Sequence, residues 1–399
     1  MKNGAIKDLF NSKLPEVGND PVKAGKLTAE HLEKLLNDKK ITPEDLKFDQ
    51  LAHDLIPGYD DLRNETDPVV IQNAVTSSQF PTISKVAINS AILDSYALHT
   101  EGLDQLVSEV SATRTNEEYI AGFTDSEEPE LRLESMSYEE TNFGERDITV
   151  KMADFGRTLS ITREAIFNDR TGQLLSNARS FGERGAQHRA KMIIQTLEVL
   201  PRTAFKEATG ASKAFTYKGT AYQYTDFYNA TNHTTIDGRT NVNLKTTNGL
   251  ADYTDIQNAM DLFDVMKTPA GADMSVDPKF VVVHTKNLVK AWQILNSDTF
   301  MRVGTGTSIS DFHNPNPYGP GGIRKFQVIG SRYIGTDTSW YIGDIPKQLK
   351  WLWVYRPATA ALAASSDKVF FNNIIVTYKF SYHGGCGHSD YSYIVKNTA

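Results

Sequence analysis

The chain has 399 residues, of which 40% are hydrophobic, 10% aromatic and 23% charged, and its net charge is −7. This excludes a disordered or collagen-like chain, points to two or more lobes, and disfavours a protein whose main task is to grip nucleic acid. No apolar run approaches the roughly 20 residues of a membrane span, the first 14 residues lack a signal-peptide core, and the single cysteine, Cys386, rules out an internal disulfide framework. Intracellular synthesis, no membrane partner and a fold held by packing alone are therefore expected.

Residues 1–75 read as a polar N-terminal arm. Thr28 is positioned to cap a short helix carrying Leu32, Leu35 and Leu36. Thr42-Pro43-Glu44-Asp45 is a stronger start signal, with an N-cap, proline at N1 and acids in the first turn. The helix it opens turns Leu46, Leu51 and Leu55 inward and stops near Pro57-Gly58. Two such helices need another surface to cover their leucines, either the main body or a neighbouring copy. Residues 76–110 form a helical lead-in, with Ile83, Val86, Ala87, Leu93 and Ala97 at helical spacing and a break near Gly102.

Over residues 111–161 the period changes to that of strands: Ile148, Val150 and Met152 alternate with polar residues, as do Leu159 and Ile161. Between them lies a long acidic stretch with few large aliphatics, best read as an extended β-hairpin; long loops without a core of their own are usually functional. Residues 117–146 contain ten acids and two arginines, a balance of −8, so the rest of the chain sums to +1. Residues 162–204 hold a short helix at Thr162-Arg163-Glu164-Ala165. A long helix follows, opening at Thr171 and stopped by Pro201, and within it Gly182 and Gly185 either weaken the helix or let another backbone approach closely. This region is basic: residues 163–206 carry eight basic and four acidic side chains. An acidic projection and a basic helix are suited to recognition between copies, although two solvated faces of opposite sign give the same pattern.

Residues 205–340 read as a second lobe. Thr254 to Gln257 forms a capping box for a helix with Ile256, Met260, Phe263 and Met266. Phe280 to Val283 is an apolar strand, followed by a helix with Leu288, Ala291, Trp292 and Leu295. Residues 302–322, rich in Gly, Pro, Asn and Ser, read as an exposed loop. Residues 341–399 return through strands, and in the last of these Ile374, Val376, Tyr378, Phe380 and Tyr382 share one face. The fold class is α+β.

The one cluster with metal-ligand chemistry is His383-Gly384-Gly385-Cys386-Gly387-His388-Ser389-Asp390. Its spacing matches no two-pair zinc pattern and no second cysteine completes it, so a glycine turn ending a strand at a subunit contact is the favoured reading. Gly304-Thr305-Gly306 does not join a strand to a helix as a phosphate loop must, and no Gly-x-Ser-x-Gly elbow occurs. No catalytic residue, metal or cofactor is expected.

The order of parts resembles the major capsid proteins of tailed phages, the Hong Kong 97-type fold, in the flavour of a Mu-like major head subunit. The residues that carry the resemblance are Gly156-Arg157-Thr158-Leu159-Ser160-Ile161-Thr162-Arg163-Glu164-Ala165-Ile166 with Asn168-Asp169, at the passage from hairpin to spine helix. Further matches are Asp277-Pro278-Lys279-Phe280-Val281-Val282-Val283 with Ile294-Leu295-Asn296-Ser297, and Ser339-Trp340-Tyr341-Ile342-Gly343-Asp344. The resemblance spans about residues 80–395. It implies a peripheral lobe with hairpin and spine helix, and an axial lobe (205–340) meeting its counterparts at five-fold and six-fold axes. The implied function is a homo-oligomeric icosahedral shell, assembled in the host cytoplasm from pentamers and hexamers, that encloses double-stranded DNA without specific binding.

In such shells the hairpin lies over a neighbour. That makes Glu127, Glu128, Glu130, Glu139 and Glu140 on one copy, and Arg179, Arg184 and Arg189 on the next, the candidate inter-subunit contacts. Scaffold, portal and decoration proteins are implied partners. The stretch 117–146 contains no lysine, so the hairpin-lysine cross-link of some members is not expected. Two alternatives stand beside this reading: an encapsulin-type nanocompartment shell, and a metal-dependent hydrolase centred on His383, Cys386 and His388.

Overall fold

The computed structural model describes residues 5–41, 48–56, 58–62, 65, 70, 73–75, 78, 80–100, 102–123, 145–162, 173–199, 213–217, 220–224, 228–230, 233–234, 240–268, 272–297, 299–301, 313–363 and 374–399. The helices are α1 (Ala5–Lys13), α2 (Pro21–Asn37), α3 (Phe48–Leu55), α4 (Tyr59–Leu62), α5 (Phe80–Leu98), α6 (Gln173–Leu197), α7 (Tyr253–Asp264), α8 (Leu288–Asn296) and α9 (Ile345–Gln348). The strands begin with β1 (Ser108–Ser111), β2 (Glu117–Phe123), β3 (Glu145–Lys151), β4 (Ala153–Thr162), β5 (Lys213–Tyr217), β6 (Thr220–Tyr224), β7 (His233–Thr234), β8 (Thr240–Asn241) and β9 (Leu244–Lys245). They continue with β10 (Phe280–His284), β11 (Thr299–Met301), β12 (His313–Pro315), β13 (Gln327–Ser331), β14 (Trp340–Gly343), β15 (Leu349–Ala363), β16 (Ile374–His388) and β17 (Ile394–Asn397). The mixture of helix and strand is the α+β class expected. The chain divides into two compact units, residues 1–101, 154–189 and 355–383, and residues 102–153, 190–354 and 384–399.

In the first unit α2 starts earlier than Thr28. Asp20 is the N-cap, its carboxylate accepting from the Val22 and Lys23 amides at 3.0 and 3.3 Å, with Pro21 in the first helical position. Thr28 instead lies buried inside the helix and donates its hydroxyl to the Ala24 carbonyl at 2.8 Å. The Thr42–Asp45 start signal lies outside the described residues, but Leu51 in α3 is buried as expected. The leucines find their cover within the same chain, because α2 and α3 both pack on α5. The apolar side of α5 contributes Phe80, Ile83, Ala87, Ile88, Ala91 and Ile92, each at most 1% exposed. Gly102, with φ 71°, follows the end of α5 where the break was expected.

The sheet of this unit runs in the order β15-β16-β4. Along β16, Val376, Tyr378, Phe380 and Tyr382 are buried while Lys379 is exposed, the period of two read from the sequence. The Tyr378 and Ser84 hydroxyls are 2.9 Å apart, tying the sheet to α5. Where α6 crosses α5, a Cβ on Gly182 would stand 2.1 Å from the Ile92 carbonyl oxygen. Glycine is thus required for the backbones to touch.

The second unit is built on a sheet ordered β13-β10-β14-β17-β9. Val281, Val283, Trp340, Ile342 and Val395 share one face, against which α7 places Ile256, Ala259, Met260 and Phe263, and α8 places Ala291, Ile294 and Leu295. The register puts Val282, Tyr341 and Lys396 side by side on the other face. The cap of α7 differs from the Thr254–Gln257 box. Asp252 is the N-cap, accepting from the Thr254 amide at 2.7 Å, and Asp255 returns the bond from the Asp252 amide at 2.9 Å. Two carboxylates at this spacing outcompete a threonine–glutamine pair because both are charged acceptors facing the helix N-terminus.

The expected exposed loop at 302–322 also needs correction over its described part. Asn316 and Tyr318 are buried, and the Asn316 amide donates to the Ile294 and Ser297 carbonyls at 2.6 and 2.9 Å, closing the C-terminal end of α8. At the 162–165 site of the expected short helix, Thr162 is the last residue of β4 and the rest lies outside the described residues.

Candidate functional site

The hairpin expected over 111–161 is present at its base. β2 and β3 pair antiparallel from Glu117 opposite Lys151 to Phe123 opposite Glu145. Its entry turn is fixed by the Glu118 carboxylate, which accepts from the Thr113 and Arg114 amides, both at 2.9 Å, and from the Thr113 hydroxyl at 2.8 Å. The Arg114 amide first, then these other donors, hold the Glu118 carboxyl below its usual range. Glu127, Glu128, Glu130, Glu139 and Glu140 lie outside the described residues.

The three arginines expected opposite them do not share one exposed face. Arg184 is exposed and donates to Gln187 Oε1 at 2.9 Å, and Gln187 in turn donates to Glu183 at 2.8 Å. Arg179 is half-buried. Arg189 is only 4% exposed and its charge acts on the buried Tyr382 hydroxyl, so it offers no surface charge. Helical spacing places charges along a helix, but which side meets the core is decided by its neighbours. Arg184 instead shares a groove of about 590 Å³ with Arg157 and the rings of Phe155, Phe181, Phe380 and Tyr382. At its floor the Tyr382 hydroxyl and His188 Nδ1 are 2.7 Å apart, and burial pushes the Tyr382 hydroxyl far above its ordinary range.

The His383–Asp390 cluster is not the turn expected at the end of a strand. β16 runs through it to His388, with Cys386 completely buried. Its glycines are strand residues that let other chain segments approach. A Cβ would lie 2.6 Å from the Leu352 carbonyl oxygen at Gly384, 2.3 Å from that of Lys151 at Gly385, and 2.2 Å from a Val150 methyl at Gly387. Both ring nitrogens of His388 are occupied: Nε2 donates to the Thr196 carbonyl at 2.6 Å and Nδ1 accepts from the Gln348 amide at 3.3 Å. That leaves no imidazole lone pair for a metal. Among the described residues no group of three or more His, Cys, Asp or Glu is placed to hold one. Nor, among them, is any helix long and apolar enough to cross a membrane.

A second buried polar cluster was missed by sequence reasoning. Glu198, the residue after α6, is 7% exposed, and both its carboxylate oxygens receive the Gly335 amide at 3.0 Å. Lys396 places its ammonium 5.5 Å from the ring centre of Tyr228 and 5.8 Å from that of Tyr341, and the two rings are 6.0 Å apart. Tyr228 donates to the Leu197 carbonyl at 2.8 Å. Burial raises the Glu198 carboxyl above its usual range and lowers the Lys396 ammonium below its own, the two charges partly offsetting this. Burial likewise raises both tyrosines. These residues come from distant segments, and no local pattern announces them.

The phage capsid protein family model matches residues 144–397, well over half of the chain. The chain belongs to the phage capsid protein family. The segments read as capsid-like, from Gly156 to Asp169, from Asp277 to Ser297 and from Ser339 to Asp344, all fall within that match. This capsid protein is therefore a structural component of a virion. No curated protein matches it in sequence. Among solved structures it is similar to the capsid of a native GTA particle, at 13% identity and a TM-score of 0.45, covering 75% of this chain and 90% of that one. It is also similar to the Mycobacterium phage Patience structure, at 11% identity and 0.44, covering 84% and 88%. An encapsulin complex from Synechococcus elongatus matches at 9% identity and 0.42, covering 75% and 86%.

Proposed function

We propose that this capsid protein is the major subunit of a Hong Kong 97-type shell, whose copies close as pentamers and hexamers around double-stranded DNA. The family match over residues 144–397 carries the reading. The unit containing α5, the first part of α6 and β4 is then the peripheral lobe, and the unit built on β10, β13, β14 and β17 the axial lobe. Heterologous contacts repeated around closed symmetry axes supply the curvature. The acidic hairpin of one copy docks on α6 in the next, with the exposed Arg184 as its central contact. The remainder of the chain is nearly neutral, which suits a container that holds DNA without binding it tightly. A scaffold, a portal and decoration proteins complete the partner set, with assembly in the host cytoplasm.

Size-exclusion chromatography with light scattering, followed by negative-stain imaging of the heaviest fraction, tests this. Shells, or rings of five or six, are expected; a monomer at every salt concentration, even with a scaffold co-expressed, would sink the reading.

A further inference from the structure

We propose that Glu198 works an acid-tightened clasp on the C-terminal end of α6: ionised, its carboxylate weakens the hold on that helix end, and protonation strengthens it. The position is adverse to a negative charge. Glu198 follows a 25-residue helix, at the negative end of its macrodipole, and is 7% exposed. A carboxylate has about four acceptor sites, and among the described residues two backbone amides reach it, that of Gly335, shared between both oxygens, and that of Thr336. The Tyr228 hydroxyl is already committed to the Leu197 carbonyl. Opening this end to water gives the carboxylate its missing hydration, so ionisation favours the open form.

The groups around Glu198 come from every element packed on the cluster. They are Lys396 of β17, Tyr341 of β14, His284 at the end of β10, Tyr228, and the backbone of Gly335 and Thr336 beyond β13. Lys396 supplies the opposing charge but is desolvated against two tyrosine rings. A protonated Glu198 becomes a hydrogen-bond donor. The Tyr341 hydroxyl, buried and without a hydrogen-bond partner among the described residues, offers an unused acceptor in the same cluster. Because burial raises the Glu198 carboxyl in the closed form, its favourable contribution is complete below the ordinary carboxylate range. It is lost as pH rises through the raised value. His388 holds the Thr196 carbonyl two residues earlier, so a pH response at this helix end belongs to Glu198 only if it disappears with that carboxylate.

Amide hydrogen exchange of the full chain over residues 190–199, corrected for the intrinsic pH dependence, reads the clasp. Protection in the natural chain is expected to rise several-fold from pH 7.5 to pH 5, whereas Glu198→Gln is expected to show the higher protection at both pH values. Gln keeps the shape and still accepts from Gly335. A pH response that survives in Glu198→Gln would place its origin outside Glu198 and overturn the proposal, as would protection in the natural chain that is flat or falls on acidification. Should Glu198→Gln fail to fold, Lys396→Met is the second variant. Removal of the opposing charge is expected to steepen the pH response, and an unchanged response would equally overturn the proposal.

Discussion

The first part of α6, within one unit, and its last turn, within the other, are held in opposite ways. Around Gly182 and Gly185 the helix is fixed by the side chains it lacks: the Ile92 carbonyl occupies the place of one Cβ and the Phe380 ring that of the other. Around Thr196 to Glu198 it is fixed by polar groups reaching in from outside the helix, namely His388, Tyr228 and Gly335. A steric contact of the first kind tolerates no added atom but ignores pH. The polar clasp tolerates changes of shape but depends on which protons are bound. One helix therefore carries a permanent joint and an adjustable one.

The largest effect that would test this contrast is expected at the steric joint. Gly182→Val places methyl groups inside the α5 backbone and is expected to cost about 3 kcal/mol or more; urea denaturation reads it, and an unshifted midpoint would break the contrast. At the polar end, His388→Ala strands the Thr196 carbonyl and the Gln348 amide and is expected to cost about 1–3 kcal/mol, read in the same assay. Glu198→Gln runs the other way, with an expected gain at neutral pH, because a buried amide escapes the desolvation penalty of a carboxylate. That gain should shrink as pH falls, because the natural carboxyl then becomes neutral itself; a gain independent of pH contradicts the sign assigned to Glu198. The smallest change in stability belongs to Arg184→Glu, expected within about 0.5 kcal/mol because the side chain is exposed. Its effect is expected instead on assembly, as a loss of sedimenting shells at moderate salt, and intact assembly would remove Arg184 from the contact.

Much of the architecture was legible along the chain. Apolar spacing marked α5, α6 and α8, alternation marked β3 and β16, an unbroken apolar run marked β10, and the succession of hairpin, long helix and α/β lobe led to the capsid family before any contact was known. Local sequence determines these because periodicity reports the backbone conformation and which positions share a face. Other features depended on tertiary structure. The glycines at 384, 385 and 387 looked like a turn, yet they are strand positions made necessary by Leu352, Lys151 and Val150. Arg189 looked like part of a basic surface, yet packing buries it. Glu198 and Lys396 look like ordinary surface charges in sequence. Only the three-dimensional arrangement removes them from water together, because desolvation is set by every segment that closes around a group and not by its neighbours along the chain.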